Sequence, residues 1–198
     1  MRPSPAYLAL GYLSRLPVRV LFRLRAHGLE HVPRDGGAVL AANHHSSFDP
    51  WPLGLPLFPE RWLRFMAKSE LYWFPLRLVL DAGGAFPVRR GERDVAAIET
   101  AVRLCRQGEI VVMFPEGTRR RKGLRKKWEA RAHTGAARIA RDAGVPLVPA
   151  AIVGTDRLRR LGPLRVAYGP PVEVDDNLRH TTDRLMGAIR RLEADLAK

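Results

Sequence analysis

Apolar positions in this chain alternate between short continuous runs and stretches where they recur every three or four residues. The runs Ala38–Ala42, Leu63–Ala67, Ile110–Phe114, Leu147–Val153 and Leu164–Tyr168 predict strands. Between them, Glu92–Gln107 predicts a helix with Val95, Ile98, Val102 and Cys105 on one face, which assigns Cys105 to the core. Thr134–Ala143 predicts a second helix, stopped by Gly144 in a left-handed terminus. Thr181 or Thr182 would cap a last helix with Leu185, Ile189, Leu192 and Leu196 along one side. Strands alternating with helices predict a single α/β domain, a mixed, largely parallel sheet flanked by helices. In such folds chemistry gathers where strands end and loops begin. The chain carries neither internal repeats nor a low-complexity linker, so the expected division is residues 28–198 as the domain and 1–27 as an N-terminal segment.

That segment has its own pattern. Residues 6–26 mix Tyr7, Leu8, Leu10, Leu13, Leu16, Val20, Leu21 and Phe22 with Arg15, Arg19 and Arg23. Arginines four apart form one stripe of a helix beside a broad apolar surface, and Pro17 would kink or divide that helix. A basic amphipathic helix lying in a membrane interface has this character, and so does a terminal helix packed on the domain. No uncharged stretch of about 18 residues is present to span a bilayer, and no secretory signal opens the chain.

Charge narrows the partners. The 198 residues carry 34 Lys and Arg against 20 Asp and Glu, a formal net charge of +14. Such an excess favours an anionic partner: nucleic acid, an anionic membrane face or a phosphate-bearing substrate. Apolar residues make up 46% of the chain, enough for a real core. The single cysteine, Cys105, excludes an internal disulfide and a thiolate metal site.

Four stretches hold residues suited to chemistry. In Asn43-His44-His45-Ser46-Ser47-Phe48-Asp49-Pro50, just past a predicted strand, His44 could deprotonate a hydroxyl if Asp49 folded back to orient it. The same Asp49-Pro50 also reads as a helix N-cap followed by proline at the first helical position. Gly83 to Gly91 joins glycines, which let backbone approach a ligand, to Arg89 and Arg90, whose guanidinium forks match phosphate oxygens. Its bland reading is a turn with two solvated arginines. Phe114-Pro115-Glu116-Gly117-Thr118-Arg119 puts a carboxylate, a glycine and an arginine in one loop, either a headgroup site or simply a turn. Val145 to Pro149 is an apolar strand bracketed by prolines.

In order and spacing these stretches resemble the four blocks of the glycerolipid acyltransferases, above all the 1-acylglycerol-3-phosphate acyltransferases. Asn43, His44 and Asp49 match the family's Asn-His-x4-Asp block, and Phe114 to Arg119 match its Phe-Pro-Glu-Gly-Thr-Arg block without a change. Flanking text agrees at Gly28 to Pro33, Met66 to Leu71 and Gly169 to Val172, so the resemblance covers roughly residues 28–175. It implies that His44 is a general base with Asp49 as its partner. It further implies that Glu116, Gly117, Thr118 and Arg119, with the arginine of block two, hold a phosphate-bearing acceptor. Block two fits Arg90 in one form of the motif and Arg89 in another, and Arg90 is preferred. His45 has the wrong spacing to Asp49 for the base.

The implied reaction is direct acyl transfer from acyl-CoA or acyl-carrier protein to a lysophospholipid hydroxyl, with no cofactor beyond the thioester co-substrate and no metal. The implied location is the cytoplasmic face of the cell membrane, as a peripheral or monotopic protein on an anionic surface. The basic run Arg119 to Arg131, with eight Lys or Arg and one acid, is either a solvated loop or a contact for lipid headgroups, coenzyme A phosphates or an acidic carrier protein. Glycerol 3-phosphate or another lysolipid would suit similar blocks. The rival from another class is a basic nucleic-acid-binding protein, which the charge alone allows, although no helix-turn-helix, zinc finger or single-strand platform is evident. Nucleic acid is therefore not the expected partner.

Overall fold

The computed structural model describes residues 3–88, 95–117 and 132–198. Along it run helices α1 (Pro5–Leu21), α2 (Pro50–Gly54), α3 (Leu76–Ala82), α4 (Val95–Arg106), α5 (Gly135–Ala143) and α6 (Leu178–Leu196). The strands are β1 (Arg25–His27), β2 (Ala38–Ala42), β3 (Leu63–Lys68), β4 (Ala85–Val88), β5 (Ile110–Met113), β6 (Leu147–Val153) and β7 (Arg165–Tyr168). They form one seven-stranded sheet in the order β1-β7-β6-β2-β5-β3-β4. Every pair is parallel except β6 with β7.

The central strand shows why the apolar runs are continuous. All five residues of β2 are buried: Val39 and Ala41 pack toward α4, α5 and α6, while Ala38, Leu40 and Ala42 pack toward Leu53 of α2. A strand covered on both faces has no polar side to show. Parallel pairing also aligns the carboxyl ends of β6, β2, β5, β3 and β4 along one edge of the sheet. From neighbours β2 and β5 the chain departs in opposite directions, toward β3 and back across β2 to β6. That is a topological switch point, where an open α/β sheet leaves a crevice.

Local chemistry sets the helix ends. Ser4 caps α1 by accepting from the Tyr7 amide at 3.1 Å, with Pro5 at the first helical position. Gly144 ends α5 in the left-handed conformation, φ 68°. The last helix corrects an expectation: it begins at Leu178, and its cap is Asn177, which accepts from the His180 amide. Thr181 and Thr182 are buried inside its first turns. Their hydroxyls are taken by Asp175 (2.9 Å) and the Leu178 carbonyl (2.6 Å), so neither is placed to cap.

Two further expectations change. In α4 the buried positions are Ala97, Ala101, Leu104 and Cys105, with Ile98 and Val102 at the flank and Val95 exposed. Small alanines let this helix approach the sheet closely, which rotates the predicted face. Helix α1 is continuous through Pro17 and ends at Leu21, so Arg15 and Arg19 lie on it while Arg23 lies beyond, with φ 45°.

One side of α1 is docked. Tyr7, Gly11 and Val18 are buried; Trp51 donates its indole N–H to Ser14 Oγ at 3.0 Å. At Gly11 a β-carbon would lie 2.5 Å from the Phe58 ring, so only glycine admits this contact. The opposite side leaves Leu13, Leu16 and Val20 exposed. Packing on the domain and a free apolar surface thus belong to two sides of one helix. Among the described residues no helix is long and apolar enough to cross a membrane.

Candidate active site

The site is built from the residues just past β2 and β5 at the carboxyl edge. Asn43, fully buried, extends the β2–β6 ladder with its side chain. Its amide donates to the Ile152 carbonyl at 2.9 Å and its oxygen accepts from the Ile152 N–H at 2.8 Å. This pair of bonds to a neighbouring strand fixes where the chain leaves the sheet. The residue that leaves is His44.

Asp49 occupies the cap position of α2 with Pro50 behind it, yet its side chain makes no capping bond. The carboxylate turns back on the loop instead. Oδ2 accepts from His44 Nδ1 at 2.8 Å, from the His45 amide at 2.7 Å and from the Ser46 amide at 2.9 Å. Two of these donors are backbone N–H groups, so the oxygen acts as an acceptor and Nδ1 of His44 carries the proton. Nε2 is then the basic nitrogen. Asp49 is wholly buried and His44 is 8% exposed, so the pair interacts with little competition from bulk water. Oδ1 of Asp49 is buried as well and makes no hydrogen bond among the described residues.

The second wall comes from β5. Phe114, one residue past the strand, stacks on the His44 imidazole with ring centroids 4.1 Å apart and planes 19° from parallel. The chain then turns: the Gly117 amide donates to the Phe114 carbonyl at 2.9 Å, and Gly117 has φ 69°. Returning chain is tied to this turn by the His133 amide, which donates to the Pro115 carbonyl at 2.8 Å. A β-carbon at Gly117 would fall 2.7 Å from the His133 ring, so both conformation and space require glycine here.

Block one and the start of block three therefore meet at one end of the sheet, His44 beside Phe114, with Glu116 half-buried and Gly117 in the adjoining turn. β4 ends at Val88 on the same edge. Arg89, Arg90, Thr118, Arg119 and the rest of the basic run to Arg131 lie outside the described residues. His45 turns away from Asp49, and its Nε2 lies 3.0 Å from Glu193 Oε1 on α6. This tie between the loop and the last helix has no signature in sequence, because the partners are 148 residues apart. Nor does the sequence announce the stacking by Phe114 or the ladder bonds of Asn43, although both residues sit within the motifs. Cys105 is core, and burial pushes its thiol up to about 12, which leaves it no thiolate character. Among the described residues no cluster of His, Cys, Asp or Glu is arranged to hold a metal ion.

A buried, oriented histidine at the switch point of an α/β sheet is chemically able to take a proton from a hydroxyl. Residues 23–153 match the model of the family described as acyltransferase. The chain is 32% identical over 187 residues to the 1-acyl-sn-glycerol-3-phosphate acyltransferase of Bacillus subtilis, covering 87% of this chain and 89% of that one. It is 28% identical over 153 residues to a chloroplast 1-acyl-sn-glycerol-3-phosphate acyltransferase of Arabidopsis thaliana, covering 75% of this chain and 41% of the other. The crystal structure of the 1-acyl-sn-glycerophosphate acyltransferase PlsC from Thermotoga maritima has the same fold, with a TM-score of 0.65 at 24% identity over 94% of this chain and 78% of that one. This chain belongs to the acyltransferase family, and it is an O-acyltransferase.

Proposed function

We propose that this enzyme transfers a fatty acyl group from acyl-CoA or acyl-carrier protein to the free hydroxyl of 1-acylglycerol 3-phosphate, giving phosphatidate. The observation that carries the reading is the 2.8 Å bond between His44 Nδ1 and buried Asp49, which reserves Nε2 for a proton. The choice of acceptor is supported by the Bacillus subtilis relative, which covers nearly the whole chain and is named for that substrate.

In the proposed reaction Nε2 of His44 removes the hydroxyl proton as the oxygen attacks the thioester carbonyl. Asp49 stabilises the imidazolium that forms. The tetrahedral intermediate expels the thiolate, which takes the proton from the imidazolium, so acyl ester and free thiol leave together. General-base catalysis of this kind contributes roughly 10²–10⁴-fold. Glu116, Gly117, Thr118 and Arg119, with Arg90 (or Arg89) of block two, are assigned to holding the phosphate-bearing acceptor, the arginine forks being chemically suited to its phosphate. The acceptor is a lipid, so the enzyme works at a membrane, and the cytoplasmic face with its anionic headgroups suits a chain of charge +14. The outer side of α1, with Leu13, Leu16 and Val20 beside exposed Arg15 and Arg19, is the natural contact.

The test is a panel of acceptors (1-acylglycerol 3-phosphate, glycerol 3-phosphate and neutral or zwitterionic lysolipids), each run with acyl-CoA and with acyl-carrier protein. Preference for 1-acylglycerol 3-phosphate, lost on His44→Ala, is the expected result. Preference for another acceptor, or transfer that survives loss of the imidazole, overturns the proposal.

A further inference from the structure

The stretch between β3 and β4 presents apolar side chains that the domain does not use. β3 ends at Lys68 on the carboxyl edge, and the chain returns through α3, which has no buried residue. Phe74 is 80% exposed and Trp73 57%, with Leu71, Leu78 and Val79 exposed behind them. α3 lies against α1, whose other exposed apolar residues are Leu13, Leu16 and Val20. The arrangement is directional. α1 runs from Tyr7, whose hydroxyl takes the amide of Leu63 at the start of β3, to Val18, packed with Leu164 just before β7. Because β7 opposes β6, Leu164 lies at the carboxyl edge. Both the end of α1 and the Trp73–Phe74 tip therefore border the edge that holds His44.

Exposed large apolar side chains gathered on one segment mark a partner, since each one left in water forfeits its burial energy. The segment's own charges pair off as Lys68 with Glu70 and Arg77 with Asp81, so the charge of α1 chooses the partner. α1 carries Arg15 and Arg19 and contains neither Asp nor Glu. A cationic helix at one end of the sheet and exposed tryptophan and phenylalanine at the other fit an anionic bilayer, where aromatic rings settle at headgroup depth. A second copy of the chain would instead set arginine helices against one another.

We propose that Trp73, Phe74 and the outward side of α3 form a second membrane-inserting element, which with α1 seats the enzyme at two points and turns the His44 edge toward the lipid surface. The inference deepens the proposed reading and rests on it for a membrane-borne acceptor. Its test uses the full chain and vesicles of phosphatidylcholine with phosphatidylglycerol. The double variant Trp73→Ser, Phe74→Ser is expected to partition roughly tenfold or more weaker than wild type. Acyl chains brominated near the headgroup should quench a fluorescence component present in wild type and absent from Trp73→Phe. Transfer to a short-chain, water-soluble lysophosphatidate should be unchanged in the double variant. Equal vesicle binding by wild type and double variant, or the same quenching with and without Trp73, overturns the inference while leaving the acyltransferase reading intact. Loss of carrier-protein-dependent transfer to the soluble acceptor, with vesicle binding kept, would assign the patch to the carrier protein. A wild-type dimer that the double variant dissolves would assign it to a second copy; either outcome overturns the proposal. Absence of lysophosphatidate transfer in wild type, with vesicle binding sensitive to both residues, would sink the functional reading and spare the membrane seat.

Discussion

His44 and His180 each set Nδ1 2.8 Å from an aspartate Oδ2, and in each pair the partners are five residues apart in sequence. Their surroundings differ. The His44–Asp49 side chains are 10% and 0% exposed, those of His180 and Asp175 58% and 36%. Asp49 is gripped by two backbone amides and His44 lies under Phe114, at the end of a central strand. Asp175 shares its carboxylate among His180, Thr181 and Arg184 at the start of α6, where the cluster holds a helix end in water. A short histidine–aspartate contact is therefore not a catalytic feature in itself. Burial, a fixed tautomer and a place on the switch-point edge distinguish the two.

The same chemical change at the two aspartates should separate them most widely. In the proposed mechanism Asp49→Asn removes the charge that supports the imidazolium, and kcat/KM is expected to fall by about 10²-fold or more. Asp175→Asn should leave it within about twofold of wild type, both read by steady-state transfer assays. The strand-end placement can be broken next. Asn43→Ala strips both ladder bonds from Ile152 and should cost about 2–4 kcal/mol in urea unfolding, since two buried backbone groups lose their partners. Should the urea midpoint stay where it is, Asn43 does not pin the loop.

A smaller effect is expected at the tie between loop and last helix. Glu193→Gln weakens the contact to His45 and should lower kcat by less than about tenfold with KM unchanged, as for the loss of roughly 1 kcal/mol in positioning. The smallest effect concerns the exposed pair, and it is one of stability. Hydrogen bonds from His180 and Thr181 hold the Asp175 carboxyl below its ordinary value. Its contribution is therefore complete above the usual carboxylate range and is lost as the pH falls through the depressed value. Thermal unfolding of wild type and Asp175→Asn should differ slightly near neutrality and converge in acid; divergence in acid would contradict the assignment.

Much of the fold is legible in the chain because burial on both sides of a strand leaves a continuous apolar run. Ala38–Ala42 and Leu147–Val153 appear with the predicted bounds. β1 escapes the pattern because Arg25–His27 is a short edge strand with nothing to alternate, and β4 because Gly83 and Gly84 before it and Pro87 within it read as a turn. Proline is tolerated there because, among the described residues, β4 is the edge strand and pairs with β3 alone. His44 and Asp49 are legible as neighbours through their spacing, whereas the capping reading of Asp49 fails in its chemistry: the residue stands at the cap position but its carboxylate turns to the loop and makes no capping bond. Side-chain direction is what the sequence does not carry. The face of α4, the turning of His45 toward Glu193 and the stacking of Phe114 depend on tertiary packing, which local pattern does not encode.

The most direct measurement is the transfer rate of His44→Ala beside His180→Ala, on 1-acylglycerol 3-phosphate with both variants confirmed folded by circular dichroism. The account predicts a fall of about 10²-fold or more for the first and a wild-type rate for the second. Comparable rates in the two variants would contradict it.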